Sequence, residues 1–477
     1  MAAVCCWAAL LIGLLPTLIL LTPDLRIGPA LAVQCVVVAH TGGALTRVLT
    51  ATSVRLVAFG FWLFAYVWLG LAPLAMLATD TYPLDHRTGA TTAFAAAALT
   101  ELGLLAYSAG AALAARRAVD GPALLEPLLS RRLTPLPVLL LCGLALVLAV
   151  LVIPRQGGLE AFFTSREAIR QTGADGDSER ALRVWAVAVP AFWGLVALLH
   201  LPRRPGGDRL LKGARLLLLP ALLVLNVIVN NPVSRPRFWA GTVLLVLLFA
   251  WRRFGSPRAF RAAAATLTIG VLFVFPYSDY FRYDEREAVQ LLTLTEQFST
   301  TMDYDAFQQM QTGIDYVRDN GFSPSAALGP ALFMVPRTLW PEKPQTTGIE
   351  LAQYAGYDFH NLSAPLWIET YLWGGAPCVA AVFCLLGLTG RRMDDLRARL
   401  GDQPGTLAVL LVPALAFYQL ILLRGSLMAI VGPLLLLLAV PLLITTRAVA
   451  RSAPFRLPAR PPARAGDAPI PGHRRQS

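Results

Sequence analysis

The sequence predicts an all-α fold, a polytopic bundle of about twelve transmembrane helices with a range of ten to thirteen. Hydrophobic residues make up 56% of the 477 positions and charged residues 15%, whereas soluble domains carry about a quarter charged residues. The charges fall in clusters between long runs of Leu, Ala and Val. Many of these runs approach the roughly 20 residues that a helix needs to cross a bilayer. Lipid is therefore the expected solvent for most of the chain.

Hydropathy places the predicted helices in order along the chain. The second contains the polar residues Gln34 and His40, and the eighth and ninth are short. These three spans are the weakest of the set and account for the range of ten to thirteen helices. The first lacks a basic segment before it and a small-residue cleavage site, so we interpret it as a retained helix rather than a signal peptide. The twelve spans are 2–21, 27–45, 56–78, 91–114, 136–153, 184–201, 210–229, 238–251, 262–276, 367–388, 407–423 and 427–445.

The distribution of charge predicts the orientation. With the N-terminus in the cytoplasm, roughly 26 of the 41 Lys and Arg lie on the inner side, with roughly 7 of the 29 Asp and Glu. Because cytoplasmic loops carry an excess of Lys and Arg, both termini are predicted to be cytoplasmic. The transmembrane domain spans residues 1–451, and residues 452–477, rich in Pro, Arg and Ala, are predicted to be a disordered basic tail.

Composition and motifs also exclude some functions. The net charge of +12 would suggest nucleic acid in a soluble protein, but no basic stripe interleaved with aromatic residues occurs outside the loops. The six cysteines lie in or beside apolar runs without metal-type spacing, which indicates packing. The outer loops contain no dinucleotide, phosphate-loop, zinc-protease or serine-hydrolase motif. We therefore expect no nucleic-acid partner, no metal site and no soluble-type enzyme mechanism.

One long outward loop, residues 277–366, separates the ninth and tenth spans. Within it, apolar residues recur every three or four positions in DYDAFQQMQTGIDYVRDNG, which predicts an amphipathic helix on the outer face. Asp303 is the predicted N-cap and Gly321 the predicted stop. The helix either roofs the bundle or belongs to a substrate lid, and the sequence leaves both alternatives open.

The loop continues with an apolar run of about a dozen residues, which is too short to span the bilayer and is followed by prolines. This favours a re-entrant or interfacial segment. Non-helical backbone at such depth survives only when it is buried in protein or lines a wet cavity. The segment therefore indicates a cavity that opens outward.

Several outward cations lie beside helix ends, at the depth of lipid phosphates. The planar guanidinium fork of Arg suits phosphate oxygens, although each cation could instead reach lipid headgroups or pair with a nearby acid. His360 and Glu369 lie close to the predicted outer boundary, before and within the tenth span. The candidate cations are Arg166, Arg170, Arg237, Arg282, Arg337, Lys343 and Arg424.

Glu101 stands near the middle of the fourth span. An ionised carboxylate at the bilayer centre costs about 2.5–3.5 kcal/mol on insertion scales, so this side chain should face the bundle or be protonated. The sequence leaves open whether its role is structural or functional.

Five short segments carry a family resemblance: SREAIR, NPVSRPRFW, FPYSDYFRY, VPRTLWPEKP and NLSAPLWIETYLWGG. Together they resemble the Wzy-type oligosaccharide repeat-unit polymerases, the O-antigen polymerase-like family. The match covers about residues 155–390. Its most specific feature is the order Pro-Arg, Trp-Pro and Lys-Pro, followed by an acidic residue on an aromatic stretch with paired glycines.

The resemblance implies a glycosyltransferase of the cytoplasmic (inner) membrane that joins repeat units carried on polyprenyl diphosphate at the outer leaflet. A sugar hydroxyl would attack the anomeric carbon of the donor with inversion. The first outward loop holds only Asp24 and lacks the acidic pair typical of metal-dependent membrane glycosyltransferases. Arginines rather than a divalent ion are therefore predicted to balance the leaving group, and no cofactor is expected. The candidate cations, Arg237 and Arg337 above all, and His360 would then bind the substrate. Arg337 would also belong to the catalytic residues, and Glu369 or Asp279 would act as the base. A chain-length regulator and a flippase are the partner proteins that the resemblance suggests.

Three other functions stay open at this point. A transporter or flippase of lipid-linked oligosaccharide would also need outward cations and could use Glu101 as a proton or ion site. A ligase that passes a finished glycan to another acceptor shares nearly all of these features. A structural scaffold is the third.

Overall fold

The computed structural model describes residues 1–116, 125–164, 178–202, 209–249, 251, 256–275, 277, 292–359, 362–401, 403 and 405–447. This part of the chain is mostly helical and contains almost no strand, which confirms the all-α prediction. Among the described residues the one sheet pairs β1 (Arg132–Leu133) with β2 (Thr445–Thr446) in antiparallel register. Residues Met1–Arg447 form one compact unit, and the predicted tail lies outside the described residues.

Fifteen helices of at least seven residues are described. Single helical turns also occur at Glu126–Leu129 and Leu328–Ala331. In chain order the helices are α1 (Ala2–Leu20), α2 (Pro29–Thr50), α3 (Leu56–Thr79), α4 (Ala90–Arg116), α5 (Pro135–Arg155), α6 (Ser178–His200), α7 (Arg209–Val229), α8 (Arg237–Phe249), α9 (Pro257–Phe273), α10 (Leu294–Thr300), α11 (Ala306–Asn320), α12 (Thr347–Tyr354), α13 (Leu366–Leu400), α14 (Leu407–Arg424) and α15 (Leu427–Leu443).

Nine of the described helices, α1 to α7, α13 and α14, are long and apolar enough to cross a bilayer. The protein therefore has the architecture of a multi-pass membrane protein in a lipid environment. The predicted second span forms a helix of 22 residues despite its polar residues. Helices α8, α9 and α15 occupy the other three predicted spans with 13, 17 and 17 residues. The count of twelve crossings and the cytoplasmic termini stay predictions.

Helix α3 forms the centre of the bundle, and its middle contains a π-helical turn, Ala65–Leu71, two residues before Pro73. Proline has no N–H, so the carbonyl four residues earlier, that of Leu69, loses its helical partner. The side-chain amide of Gln34 from α2 donates to this carbonyl at 2.7 Å and to the Gly70 carbonyl at 2.8 Å. Gln34, one of the polar residues of the second predicted span, thus provides the hydrogen-bond donor that the carbonyl of Leu69 lacks within α3.

Helix α13 is interrupted at Gly374 and Gly375, where the backbone leaves helical geometry. The rings of Trp367 and Phe383 lie on opposite sides of the break, yet their centroids are 4.0 Å apart. Sixteen residues of continuous helix would separate them by about 24 Å. The second segment, 376–400, therefore packs back beside the first, 366–373. The amide of Ser323 donates to the Leu372 carbonyl at 2.8 Å, next to the break.

Helix α11 ends before Gly321, which confirms the predicted stop, but the predicted N-cap is wrong, because Asp305 rather than Asp303 occupies that position. Residues 306–313 are all buried, so the helix packs inside the protein rather than lying on its surface. Its position on the outer side of the membrane stays a prediction. At Gly313 a β-carbon would come within 2.2 Å of the Ile368 side chain, so α11 packs tightly against the start of α13. Hydropathy could not predict this burial because Gln308, Gln309 and Gln311 make the helix look polar on two sides.

Candidate functional site

Three helix ends meet at one polar site within the bundle. Helix α8 begins at Arg237, α14 ends at Arg424, and α15 begins just after it. The segment before α11 supplies Asp303 and Asp305, and the first segment of α13 supplies Glu369. We call these five residues the charged cluster. The sequence predicted its two arginines and Glu369 as site residues but did not predict that the aspartates join them.

Arg237 forms a salt bridge with Asp303, and the two side chains are only 8% and 11% exposed. The guanidinium carbon also lies 4.9 Å from the centre of the Phe275 ring. The indole N–H of Trp68 donates to the Asp303 carbonyl at 3.0 Å. Because Trp68 lies halfway along α3, the cluster is recessed into the bundle rather than placed at its rim.

Arg424 holds the same segment from the other side. Its guanidinium donates to Asp305 Oδ1 at 2.9 Å and to the backbone carbonyls of Asp303 and Met302 at 3.1 and 3.3 Å. The other oxygen of Asp305 accepts from the amide of Ser363 at 3.1 Å. The two arginines thus clamp residues 302–305, and their charges are balanced by carboxylates.

Glu369 is buried, with 2% of its surface exposed. Its carboxylate accepts from the Ser426 hydroxyl at 2.8 Å and from the Leu427 amide at 3.1 Å. These groups form the N-terminus of α15, where unpaired N–H groups favour a negative charge. The Glu369 carboxylate therefore holds the N-terminus of α15 against α13. Its role as a catalytic base stays a prediction.

Arg337 and Lys343 lie outside the charged cluster, on the irregular chain between α11 and α12. Arg337 is exposed and donates to the carbonyls of Lys343 and Pro344 at 2.7 and 3.2 Å. Lys343 donates to the carbonyls of Phe333 and Val335 at 2.6 and 2.9 Å. Within the described chain neither cation forms a salt bridge. They differ in this from Arg237 and Arg424.

The chain next to these two cations carries large apolar side chains that face outward from the protein. Met334 and Leu339 are 73% and 78% exposed, and Leu328 and Leu332 are about half exposed. This is the segment for which the sequence predicted a re-entrant or interfacial position. Exposed apolar side chains beside unbalanced cations are what the boundary between lipid tails and headgroups favours.

The other predicted site residues lie outside the described residues. These are Arg166, Arg170, Asp279, Arg282 and His360. Their predicted roles stay predictions.

A second polar pair lies between α2 and α4. The sequence predicted that Glu101 faces the bundle or is protonated, but not that it pairs with His40. His40 Nδ1 and Glu101 Oε1 are 2.7 Å apart, with side chains 16% and 15% exposed. The Ser108 hydroxyl lies 3.4 Å from His40 Nε2. Glu101 Oε2 is buried and has no hydrogen-bond partner among the described residues. Two lone polar residues in separate apolar spans were the available signal for this pair.

No family model matches the chain, and no match was found among curated proteins or solved structures. The resemblance to repeat-unit polymerases therefore stays an expectation.

Proposed function

We propose that the chain is a membrane glycosyltransferase that polymerises polyprenyl-diphosphate-linked oligosaccharide repeat units into a polysaccharide at the outer leaflet of the cytoplasmic membrane. The observation that supports this most is the pair Arg337 and Lys343, two cations without carboxylate partners in the described chain, beside exposed apolar side chains. A diphosphate on an isoprenoid chain combines negative charge with an apolar tail. The two features of the segment complement these two parts of the substrate.

In the proposed reaction a hydroxyl of the incoming unit attacks the anomeric carbon of the growing chain. The new glycosidic bond forms as the bond to the diphosphate oxygen breaks, with inversion, and polyprenyl diphosphate leaves with the electron pair. Negative charge develops on the leaving oxygen, where positioned cations lower the barrier. Arg337 and Lys343 would stabilise this charge, and the hydroxyl proton would pass to a base, Glu369 or Asp279.

The charged cluster has a different role in this proposal. Arg237 and Arg424 already neutralise Asp303 and Asp305. Removing one partner of a buried pair leaves an uncompensated charge, at a cost of about 3–5 kcal/mol. Loss of activity in an Arg237 variant would therefore not separate substrate binding from folding. Arg337, which is exposed and donates only to backbone carbonyls, gives the clearer test.

The double variant R337A/K343A should retain the fold and lose polymerisation. Because each cation faces a developing charge, we expect the rate to fall by a factor on the order of 10² or more. Polymer length is measured by gel electrophoresis after incubation of purified protein with lipid-linked repeat units. The matched control is R26A, which removes another exposed arginine, located between α1 and α2. Undiminished chain growth in the double variant, with normal thermal unfolding, would refute the assignment.

Transport is the second candidate function, and two observations favour it. The His40–Glu101 pair lies within apolar helices, where ionisable residues often mark ion or proton sites. Helix α13 is broken, as helices at transporter binding sites often are. Detergent micelles have no two sides, so chain growth by purified protein in micelles requires an enzyme. Well-folded protein that extends no chains there, yet moves lipid-linked repeats across vesicles, would establish transport instead.

A ligase is distinguished by its product. It would move one glycan to a second acceptor without forming the ladder of lengths that polymerisation gives. Analysis of the products in the same micelle assay therefore separates the two enzymes.

A further inference from the structure

Five aromatic side chains form a connected surface that the proposed reaction has not used. We call His86, Tyr316, Tyr354, Tyr357 and Phe359 the aromatic strip. The ring of Tyr354 meets Tyr316 edge-on at 5.5 Å and His86 at 6.1 Å between centroids. Tyr357 stacks on Phe359 at 5.4 Å, and the hydroxyl of Tyr357 accepts from the His86 amide at 3.0 Å.

The strip is accessible, and two of its rings, Tyr354 and Tyr357, are held by hydrogen bonds. Phe359 is 40% exposed, and the other four side chains are half-buried. The Tyr354 hydroxyl donates to Asp319 at 2.5 Å. This bond holds the pKa of Asp319 below its usual range and raises the pKa of Tyr354 to about 12, so it persists at neutral pH. Rings fixed in this way lose little conformational freedom when a ligand stacks on them.

The charges around the strip are mostly negative. Asp85, Asp319 and Asp358 are exposed beside it, while the nearby cations are Arg87 and Arg318. Arg318 is already paired with Asp315 at 2.8 Å. Such a surface repels phosphate, and its carboxylates accept hydrogen bonds from hydroxyl groups.

A sugar ring fits both properties of the surface. One face of a pyranose presents C–H groups, which pack on an aromatic ring, and its rim presents hydroxyl donors, which carboxylates accept. A lipid interface is the other setting that favours tyrosines. The excess of exposed carboxylates argues against that setting, because lipid phosphates carry the same sign of charge.

The strip is joined to the charged cluster through α11. The Gln308 side chain accepts from the Leu84 amide at 3.0 Å and donates to the carbonyls of Leu84 and His86 at 2.8 Å. Just before it in the chain, Asp305 is held by Arg424. Tyr357 packs against a buried cluster that includes Leu362, and the next residue, Ser363, donates its amide to Asp305. A ligand on the strip thus lies next to the clamped segment.

We propose that the aromatic strip binds the oligosaccharide part of the substrate by ring stacking, separately from the cations that bind its diphosphate. This deepens the proposed function and rests on it for the identity of the substrate. The occupant is a chain of sugar rings with free hydroxyls and without phosphate.

Binding is measured by saturation-transfer NMR on the full-length protein in phosphatidylcholine nanodiscs. The probe is the mixture of soluble oligosaccharides released by mild acid from the surface polysaccharide of the cells that make this protein. The wild type should transfer saturation to sugar-ring protons. F359A should weaken binding about tenfold, the value of one aromatic contact. The control is F322A, which removes another exposed phenylalanine that contacts a tyrosine, Tyr371, outside the strip.

Three results would overturn the inference. They are no transfer to sugar protons in the wild type, equal binding in F359A and wild type, or equal losses in F359A and F322A. The binding assay does not require glycosyl transfer, so its outcome is independent of the polymerisation assay. If the strip binds glycan but polymerisation does not depend on Arg337, the binding site is supported and the proposed polymerase function is refuted. If polymerisation depends on Arg337 but the strip binds no glycan, the proposed function is supported and the binding site is refuted.

Discussion

Individual polar residues in the apolar spans have partners from distant parts of the chain. Gln34 donates to carbonyls of α3, and His40 lies 2.7 Å from Glu101 of α4. A polar group buried without a partner costs about 1–3 kcal/mol, so its presence in an apolar span signals that a partner exists. The identity of that partner depends on helix packing. A single sequence therefore shows that a buried polar residue needs a hydrogen-bond partner, but it does not show which residue that partner is.

Glu350 gives a pH-dependent contribution to stability. It is half-buried in α12, and burial raises the pKa of its carboxyl above the ordinary value of about 4.3, against a smaller opposite effect of a backbone hydrogen bond at Gln345. The folded state therefore binds this proton more tightly than the unfolded state. The resulting stability is complete below pH 4.3 and is lost as the pH rises through the folded pKa.

Substitution of Glu350 by Gln should remove this dependence. Thermal unfolding of purified E350Q and wild type should coincide at pH 4, and at pH 7 the variant should unfold higher, by on the order of 1 °C. The exposed neighbour Glu342 supplies the control variant E342Q. Parallel curves for E350Q and wild type across this range would show that burial does not perturb Glu350.

At the scale of elements, the break in α13 depends on one glycine conformation. Gly375 has φ 70° and ψ −161°, a region that essentially only glycine occupies. A β-carbon there would also lie 3.2 Å from the Phe322 ring. Because the break lets the segment that carries Glu369 fold back, its geometry also positions the candidate site.

G375A should destabilise the protein by about 1–3 kcal/mol. The measurement is thermal unfolding in detergent, with G270A as control, because Gly270 lies in α9 with open space around it and alanine there should be neutral or stabilising. Adding F322A to G375A should not restore stability, since the backbone strain remains. Full rescue by F322A would mean that the contact, and not the backbone, requires glycine.

The helices were largely predictable from sequence, and their arrangement was not. Apolar runs and the stop at Gly321 are local signals, so they placed most helices within a few residues. The return of the chain at Gly374 and Gly375 falls inside one continuous apolar window, which hydropathy reads as a single span. Arg237 and Arg424 could be predicted as site cations because their positions at helix ends are a local signal. Their aspartate partners lie more than sixty residues away in the chain, and only the packing of the helices brings them together.

At the scale of the whole molecule, the two ends of α3 mark two different surfaces. At its start, Asp394 of α13 accepts from the Val57 and Ala58 amides at 3.0 and 3.1 Å. At its end, the Arg26 amide donates to the Ala78 carbonyl at 2.8 Å. The charged cluster reaches α3 between these ends, at Trp68. The proposed function requires that the end near Ala78 face outward.

Cysteine labelling in a cysteine-free background tests this orientation and the depth of the site together. In intact cells an impermeant maleimide should modify R337C rapidly, because Arg337 is exposed on the predicted outer side. It should modify R391C only after permeabilisation, since Arg391 lies near Asp394 and the start of α3. S363C should react slowly from either side, because Ser363 is 3% exposed and donates its amide to Asp305 of the charged cluster. Labelling of R391C but not R337C in intact cells would invert the predicted topology, and a reaction at the outer leaflet would then be impossible.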